Sequence, residues 1–143
     1  MKTFVSNKIG RIFFVRMEEG DEVTACIKDL IRDSGIRNGI VVSAMGTLSE
    51  GVTHYITTTG YPSSFDFKRL ENTPIELSSI DGLIVDGVPH LHTVISDPEG
   101  TYSGHLEPGC KVLYAFEMAI IEVEGLEITR RPNEHGKAQI EYK

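Results

Sequence analysis

Hydrophobic and polar positions alternate with a period of two over most of the chain and switch to a helical period once. Residues Arg11 to Met17 (RIFFVRM) are aromatic and β-branched and predict a strand, which Glu18-Glu19-Gly20 ends. Asp21 then has the side chain of an N-cap. Val23, Cys26, Ile27, Leu30 and Ile31 recur at helical spacing as far as Gly35, which suits the left-handed position after a helix. One amphipathic helix is therefore predicted over about residues 21–34. After Asn38-Gly39 the period returns to two, and strands are predicted at 40–48, 51–59, 65–70, 74–80, 89–96, 101–107 and 110–125. Turn residues separate them at short intervals, without a repeat or a linker, so one domain over 1–143 accounts for the chain. The predicted class is α+β: a mostly antiparallel sheet of seven or eight strands with the helix packed on it. A doubly wound parallel fold would need more crossover helices.

Composition changes this picture in three ways. A chain of 143 residues buries roughly two-thirds of its unfolded surface on folding, so its core needs neither disulfide nor structural metal. The 14 Lys+Arg against 21 Asp+Glu leave a net charge of −7, which gives no general attraction to phosphate backbones or anionic lipid. The two cysteines, Cys26 and Cys110, are far apart and lack metal-site spacing, which fits free thiols in a reducing cytoplasm. The amino terminus has no apolar signal region, and no stretch approaches the length of a membrane span. The expected location is cytoplasmic.

Three of the five histidines fall in VPHLHTVISDPEGTYSGHLEPG. On a strand, His90 and His92 project from one face about 7 Å apart. Whether His105 joins them depends on the turn. Pro98 cannot take the positive φ of the tightest two-residue hairpins, whereas Asp97-Pro98-Glu99-Gly100 fits a type I turn in a four-residue loop. That loop sets Ser96 opposite Thr101 and His92 opposite His105. A three-residue loop with a bulge would send His105 to the other face. Three neutral imidazoles from adjacent strands suit zinc or a similar divalent ion, with a fourth position open. The alternative is two solvent-facing histidines and one packed in the core. His54 and His135 lie outside the cluster and read as surface residues.

One carboxylate also stands out. Leu113, Ala115, Glu117, Ala119, Ile121 and Val123 share a strand face on which Glu117 is the only charge. If that face is buried, Glu117 needs a partner, a proton or a cation and is a candidate general acid or base. If Tyr114, Phe116, Met118 and Ile120 face the core instead, Glu117 is a solvated residue.

The HLH strand, its turn, the GHLEPGCKV segment and the apolar strand after it resemble the plants-and-prokaryotes conserved (PPC) domain, whose hallmark is an HxH strand followed by GGHL. The likeness spans nearly the whole chain, including RIFFVRMEEGDEV, GIRNGIVVSAMGTLSEG and IELSSIDGLI. It departs at Ser103, where GGHL has its first glycine, and at Asp81, where a glycine is common. The resemblance implies a homotrimer, with a metal held at His90, His92 and His105. In plants the domain accompanies AT hooks, built on Arg-Gly-Arg-Pro. Here the nearest match is Thr129-Arg130-Arg131-Pro132, without the glycine, and with the acidic charge this argues against a DNA partner.

A more distant similarity is to the acetolactate decarboxylases, which hold zinc with an HxH pair and a third histidine. It implies a small 2-keto or 2-hydroxy acid as substrate, zinc as Lewis acid and Glu117 as proton carrier. A substrate carboxylate would also call for an arginine, for which Arg11, Arg69 and Arg130 are the candidates.

Overall fold

A computed structural model describes the whole chain, residues 1–143. In chain order it has β1 (Lys8–Met17), α1 (Val23–Ser34), β2 (Gly39–Ile56), β3 (Phe65–Val85), β4 (Val88–Asp97), β5 (Gly100–Leu106), β6 (Lys111–Glu124), β7 (Ile128–Pro132) and β8 (Ala138–Tyr142). Six strands form one sheet in the order β1-β6-β2-β3-β4-β5, with every pair antiparallel. The far end of β2 pairs again, with β5, so the sheet curls until β2, β3, β4 and β5 close on one another. β7 and β8 make a separate hairpin.

The mostly antiparallel sheet with a single helix agrees with the pattern of the chain, but the sheet has six strands rather than seven or eight. The segments predicted at 40–48 and 51–59 are the one strand β2, and those at 65–70 and 74–80 are the one strand β3. Polar residues between them mark bulges, not turns. The register slips between Leu48 and Glu50, where β3 carries extra residues and Asn72 takes a φ of 57°. Leu48, Val52, Leu70 and Ile75 on either side remain buried, so the long strands stay on the core across the irregularity. The hairpin β7–β8 lies beyond the last predicted strand.

The helix buries Val23, Ile27 and Ile31 against a core that includes Leu48, Leu77, Ile80, Ile95 and Phe116. Its N-cap is Glu22, not Asp21. The Glu22 carboxylate accepts hydrogen bonds from the Ala25 N–H at 2.6 Å and from the Gly109 N–H at 2.9 Å. The shorter Asp21 accepts from the Glu18 N–H, one turn earlier, at 2.8 Å. Glu22 thus ties the start of the helix to the β5–β6 connection. At the other end Gly35 has a φ of 72° and donates to the Ile31 carbonyl at 3.0 Å, as expected of a left-handed cap.

Two glycines allow the strands that carry histidines to approach closely. A Cβ on Gly104 would stand 2.1 Å from the carbonyl oxygen of His54, and one on Gly82 (φ 147°) would stand 2.2 Å from that of His90. Neither approach tolerates a side chain. Gly104→Ala is expected to push β5 away from β2 and cost about 1–3 kcal/mol, as overpacking does. Urea unfolding checks this against Ser103→Ala on the exposed neighbour, which should change stability by less than about 0.5 kcal/mol. Equal midpoints for the two variants would contradict the close-approach account.

Candidate functional site

The β4–β5 hairpin sets His92 opposite His105, as the type I turn requires. The connection is tighter than expected. The ladder continues through Asp97 and Gly100, leaving only Pro98-Glu99 between the strands. No positive φ is needed at either residue, because the Asp97 carboxylate accepts from the N–H groups of Glu99 at 2.9 Å and Gly100 at 3.0 Å. The exclusion of a two-residue loop is therefore corrected, while the register that it was meant to decide is unchanged.

Closure of the sheet adds a further histidine. β2 pairs with β5 so that His54 stands opposite His105, making a row of His54, His105 and His92 across three strands, with His90 beside His92 on β4. Ring centroids are 5.5 Å apart for His90 and His92, 5.0 Å for His90 and His105, and 5.6 Å for His92 and His105. The rings of His54 and His105 stack at 4.7 Å. The surface reading of His54 is thus corrected: its side chain is 24% exposed and packs beside Phe65 and Phe67. His135 remains at the surface.

The carboxylate of this cluster is Glu107. It follows His105 by two residues, so on an extended chain the two side chains share a direction, and GHLEPG already carried that signal. Glu107 Oε1 lies 2.6 Å from His54 Nδ1 and 3.1 Å from His105 Nδ1, and the Leu106 carbonyl is 3.0 Å from that second nitrogen. With Nδ1 donating to these oxygens, Nε2 is the nitrogen left to accept or to ligate. The donor atoms of His54, His105 and Glu107 all lie within 4.8 Å of one another, an arrangement with metal-ligating chemistry.

Glu117 does not join this cluster. Phe116, Met118 and Ile120 face the core, and Glu117 is exposed on the outer face, opposite Arg16 on β1 and Met45 on β2. Met45 is about 30 Å from His54 along β2 at the ordinary strand rise. Within one subunit Glu117 therefore has no histidine to serve. The three arginines also separate. Arg11 is paired with Glu122 at 2.7 and 2.8 Å and, through those hydrogen bonds, holds that carboxyl below its ordinary range. Arg69 packs over the Phe67 ring at 5.3 Å. Arg130 is half-buried and enters no ion pair, and its charge is felt at His90.

Burial, and after it the charge of neighbouring groups, lowers the proton affinity of His90 and His92 below the ordinary 6.5. Both are therefore neutral at pH 7, the form that binds metal. The linkage has a definite sign. The unfolded chain takes up protons at these sites first, so the metal-free protein loses stability as pH falls from 6.5 through the lower folded values. Denaturation midpoints between pH 8 and pH 5 should show this loss, and His90→Gln with His92→Gln should flatten it. An equally steep profile in the double variant would contradict the assignment.

Residues 5–124 match the model of the Plants and Prokaryotes Conserved (PCC) domain. Among curated proteins, the bifunctional protein GlmU of Synechococcus sp. strain JA-2-3B'a(2-13) is 29% identical over 125 residues. That alignment covers 86% of this chain but only 18% of the relative. A plant- and prokaryote-conserved protein from Pyrococcus horikoshii is 26% identical with a TM-score of 0.81, covering 100% of this chain and 99% of that one. A metal-containing protein from Archaeoglobus fulgidus is 22% identical with a TM-score of 0.80, covering 96% of each chain. More distantly, acetolactate decarboxylase from Bacillus subtilis subspecies spizizenii reaches a TM-score of 0.54 at 12% identity, over 85% of this chain and 54% of that one.

Proposed function

The chain belongs to the Plants and Prokaryotes Conserved (PCC) domain family, and from that premise we propose that it is a homotrimeric, cytoplasmic metal-binding protein whose His90, His92 and His105 hold zinc or another divalent transition metal. The observation that carries this reading is the spacing of the rings. Three imidazoles on one tetrahedral ion at about 2.0–2.1 Å place their centroids about 5.2 Å apart. The separations here are 5.0, 5.5 and 5.6 Å. The group whose donor atoms already lie within 4.8 Å of one another is His54, His105 and Glu107, so ligation by His90, His92 and His105 requires their rings to turn. Glu107 then acts as the carboxylate that orients His105 and His54 through their Nδ1 atoms, a usual arrangement behind ligating histidines. A divalent ion bound there supplies a Lewis acid beside an open position.

Assembly fits the outer face of the sheet. Ile12, Phe14, Met45 and Tyr114 are exposed there, and Arg16 and Glu117 sit among them. An apolar face of this kind is what a second and third copy would cover. Cys26 and Cys110 are free thiols, in keeping with a reducing compartment. No helix is long and apolar enough to cross a membrane. The net charge of −7 argues against a nucleic-acid partner.

Elemental analysis of protein purified without chelator or metal-affinity resin tests the ligand assignment. One ion per chain is expected. His90→Ala, His92→Ala and His105→Ala should each abolish tight binding, while Glu107→Gln should weaken it about 10–100-fold, the usual effect of losing an orienting partner. Sedimentation equilibrium of the same samples should return three chains. If His90→Ala and His92→Ala keep the ion and Glu107→Ala loses it, the ligands are His54, His105 and Glu107 and the proposed set is wrong.

A further inference from the structure

At one end the main sheet carries a second layer, and the side chains of the two layers do not fill the space between them. Ile121, Ile40 and Leu83 stand side by side on β6, β2 and β3 and point to one face. Phe4 of the N-terminal segment, with Ile128 and Ile140 of the hairpin β7–β8, lines the same cavity, whose volume is about 440 Å³. That is within the usual range of small-molecule sites. The roof is tied down at several points. Asn38 Nδ2 donates to the Leu126 carbonyl at 2.7 Å, Lys143 Nζ to Asp86 at 2.8 Å and Lys2 Nζ to Glu141 at 2.6 Å, and the Phe4 and Tyr142 rings lie 4.9 Å apart. Phe4, Ile128 and Ile140 all fall outside residues 5–124, so this chain builds the roof from beyond the segment that matches the family.

The lining is apolar and nearly all aliphatic, with Phe4 its one aromatic ring. Three polar side chains reach it, those of Ser6, Lys8 and Asn38. Two of them are already engaged. The Asn38 amide nitrogen is taken by Leu126, and its oxygen accepts from the Asp86 N–H at 3.2 Å. Ser6 Oγ donates to the Glu124 carbonyl and accepts from the Lys8 N–H at 3.1 Å. The Lys8 ammonium is left, with no carboxylate within ion-pair distance. A Cβ on Gly125 would stand 3.5 Å from Lys8 Cδ, so the lysine stem lies against the connection that leads into the roof.

We propose that this cavity binds a medium-chain aliphatic carboxylate, its chain between the two layers and its carboxylate on the Lys8 ammonium. One unengaged cation beside an aliphatic interior matches a ligand with one negative group and a saturated chain. A ligand with several polar groups would leave them unpaired there. Apolar space of this size left empty forfeits contacts along its whole lining, and the chain restores them. No histidine lines the cavity, so the proposal does not rest on the metal reading. The competing occupant is a neighbouring copy, because the row through Ile121 continues to Ile12 on the face proposed for assembly.

Calorimetric titration of the full chain with decanoate tests the proposal, with acetate and 1-decanol as analogues that lack the chain and the charge. Decanoate should bind once per chain and acetate should not bind. 1-Decanol should bind about fivefold more weakly than decanoate, the scale of one exposed ion pair. Lys8→Gln should weaken decanoate by the same factor and leave 1-decanol unchanged. Leu83→Phe on the floor and Ile140→Phe on the roof each fill the space and should weaken decanoate about tenfold or more. A melting transition like that of the wild type shows which filling variants have folded, and either one suffices. Absence of decanoate binding, equal decanoate affinity in wild type and a folded filling variant, or equal affinity in wild type and Lys8→Gln would each overturn the proposal. Sedimentation equilibrium along the titration separates the two occupants. An unchanged number of chains per particle supports the ligand site, whereas dissociation as decanoate is added assigns the cavity to a neighbouring copy and overturns it.

Discussion

The approach of β5 to β2 at Gly104 governs both the closure of the sheet and the chemistry inside it. With no side chain at that position, the backbone lies against the His54 carbonyl, and the next residue, His105, falls opposite His54. Any Cβ there would separate the strands and open the row of rings. The rest of the cluster follows from ordinary sheet geometry: His92 is across one ladder from His105, His90 is two residues along, and Glu107 is two residues beyond His105. Glu22 supports the same region from behind, because it caps the helix and holds the Gly109 N–H with one carboxylate.

The electrostatics of the cluster are uneven. On one side Glu107 gathers the Nδ1 atoms of His54 and His105. On the other side burial holds the proton affinity of His90 and His92 below the ordinary imidazole value. This asymmetry separates the histidine cluster from the outer face of the sheet, where Glu117 and Arg16 are solvated neighbours among apolar residues.

What could be read from the chain depended on how local the determining interactions are. The helix, its glycine cap and the His92–His105 register follow from residues within one turn or one hairpin, and these agree with the structure. The N-cap shifted by one because Glu22 reaches both Ala25 and Gly109, a contact across most of the chain. His54 looked solitary because its pairing with His105 is a long-range closure of the sheet that no periodicity reveals. Bulges near Leu48 and Asn72 imitate turns, since both are built from polar residues and local breaks in register. Glu117 was ambiguous because a strand with apolar residues on both faces does not say which one is buried. Arg130 could not be told from Arg11 and Arg69 until their partners were placed.

The proposed divalent ion sits among the histidines from β4 and β5. Diffraction from crystals of protein purified without chelator or affinity metal, collected on both sides of the zinc absorption edge, tests it most directly. One anomalous peak per chain is expected, ligated by nitrogens of His90, His92 and His105, with Glu107 behind His105. A peak ligated by His54, His105 and Glu107 without His90 and His92, or no peak from metal-replete protein, would contradict it.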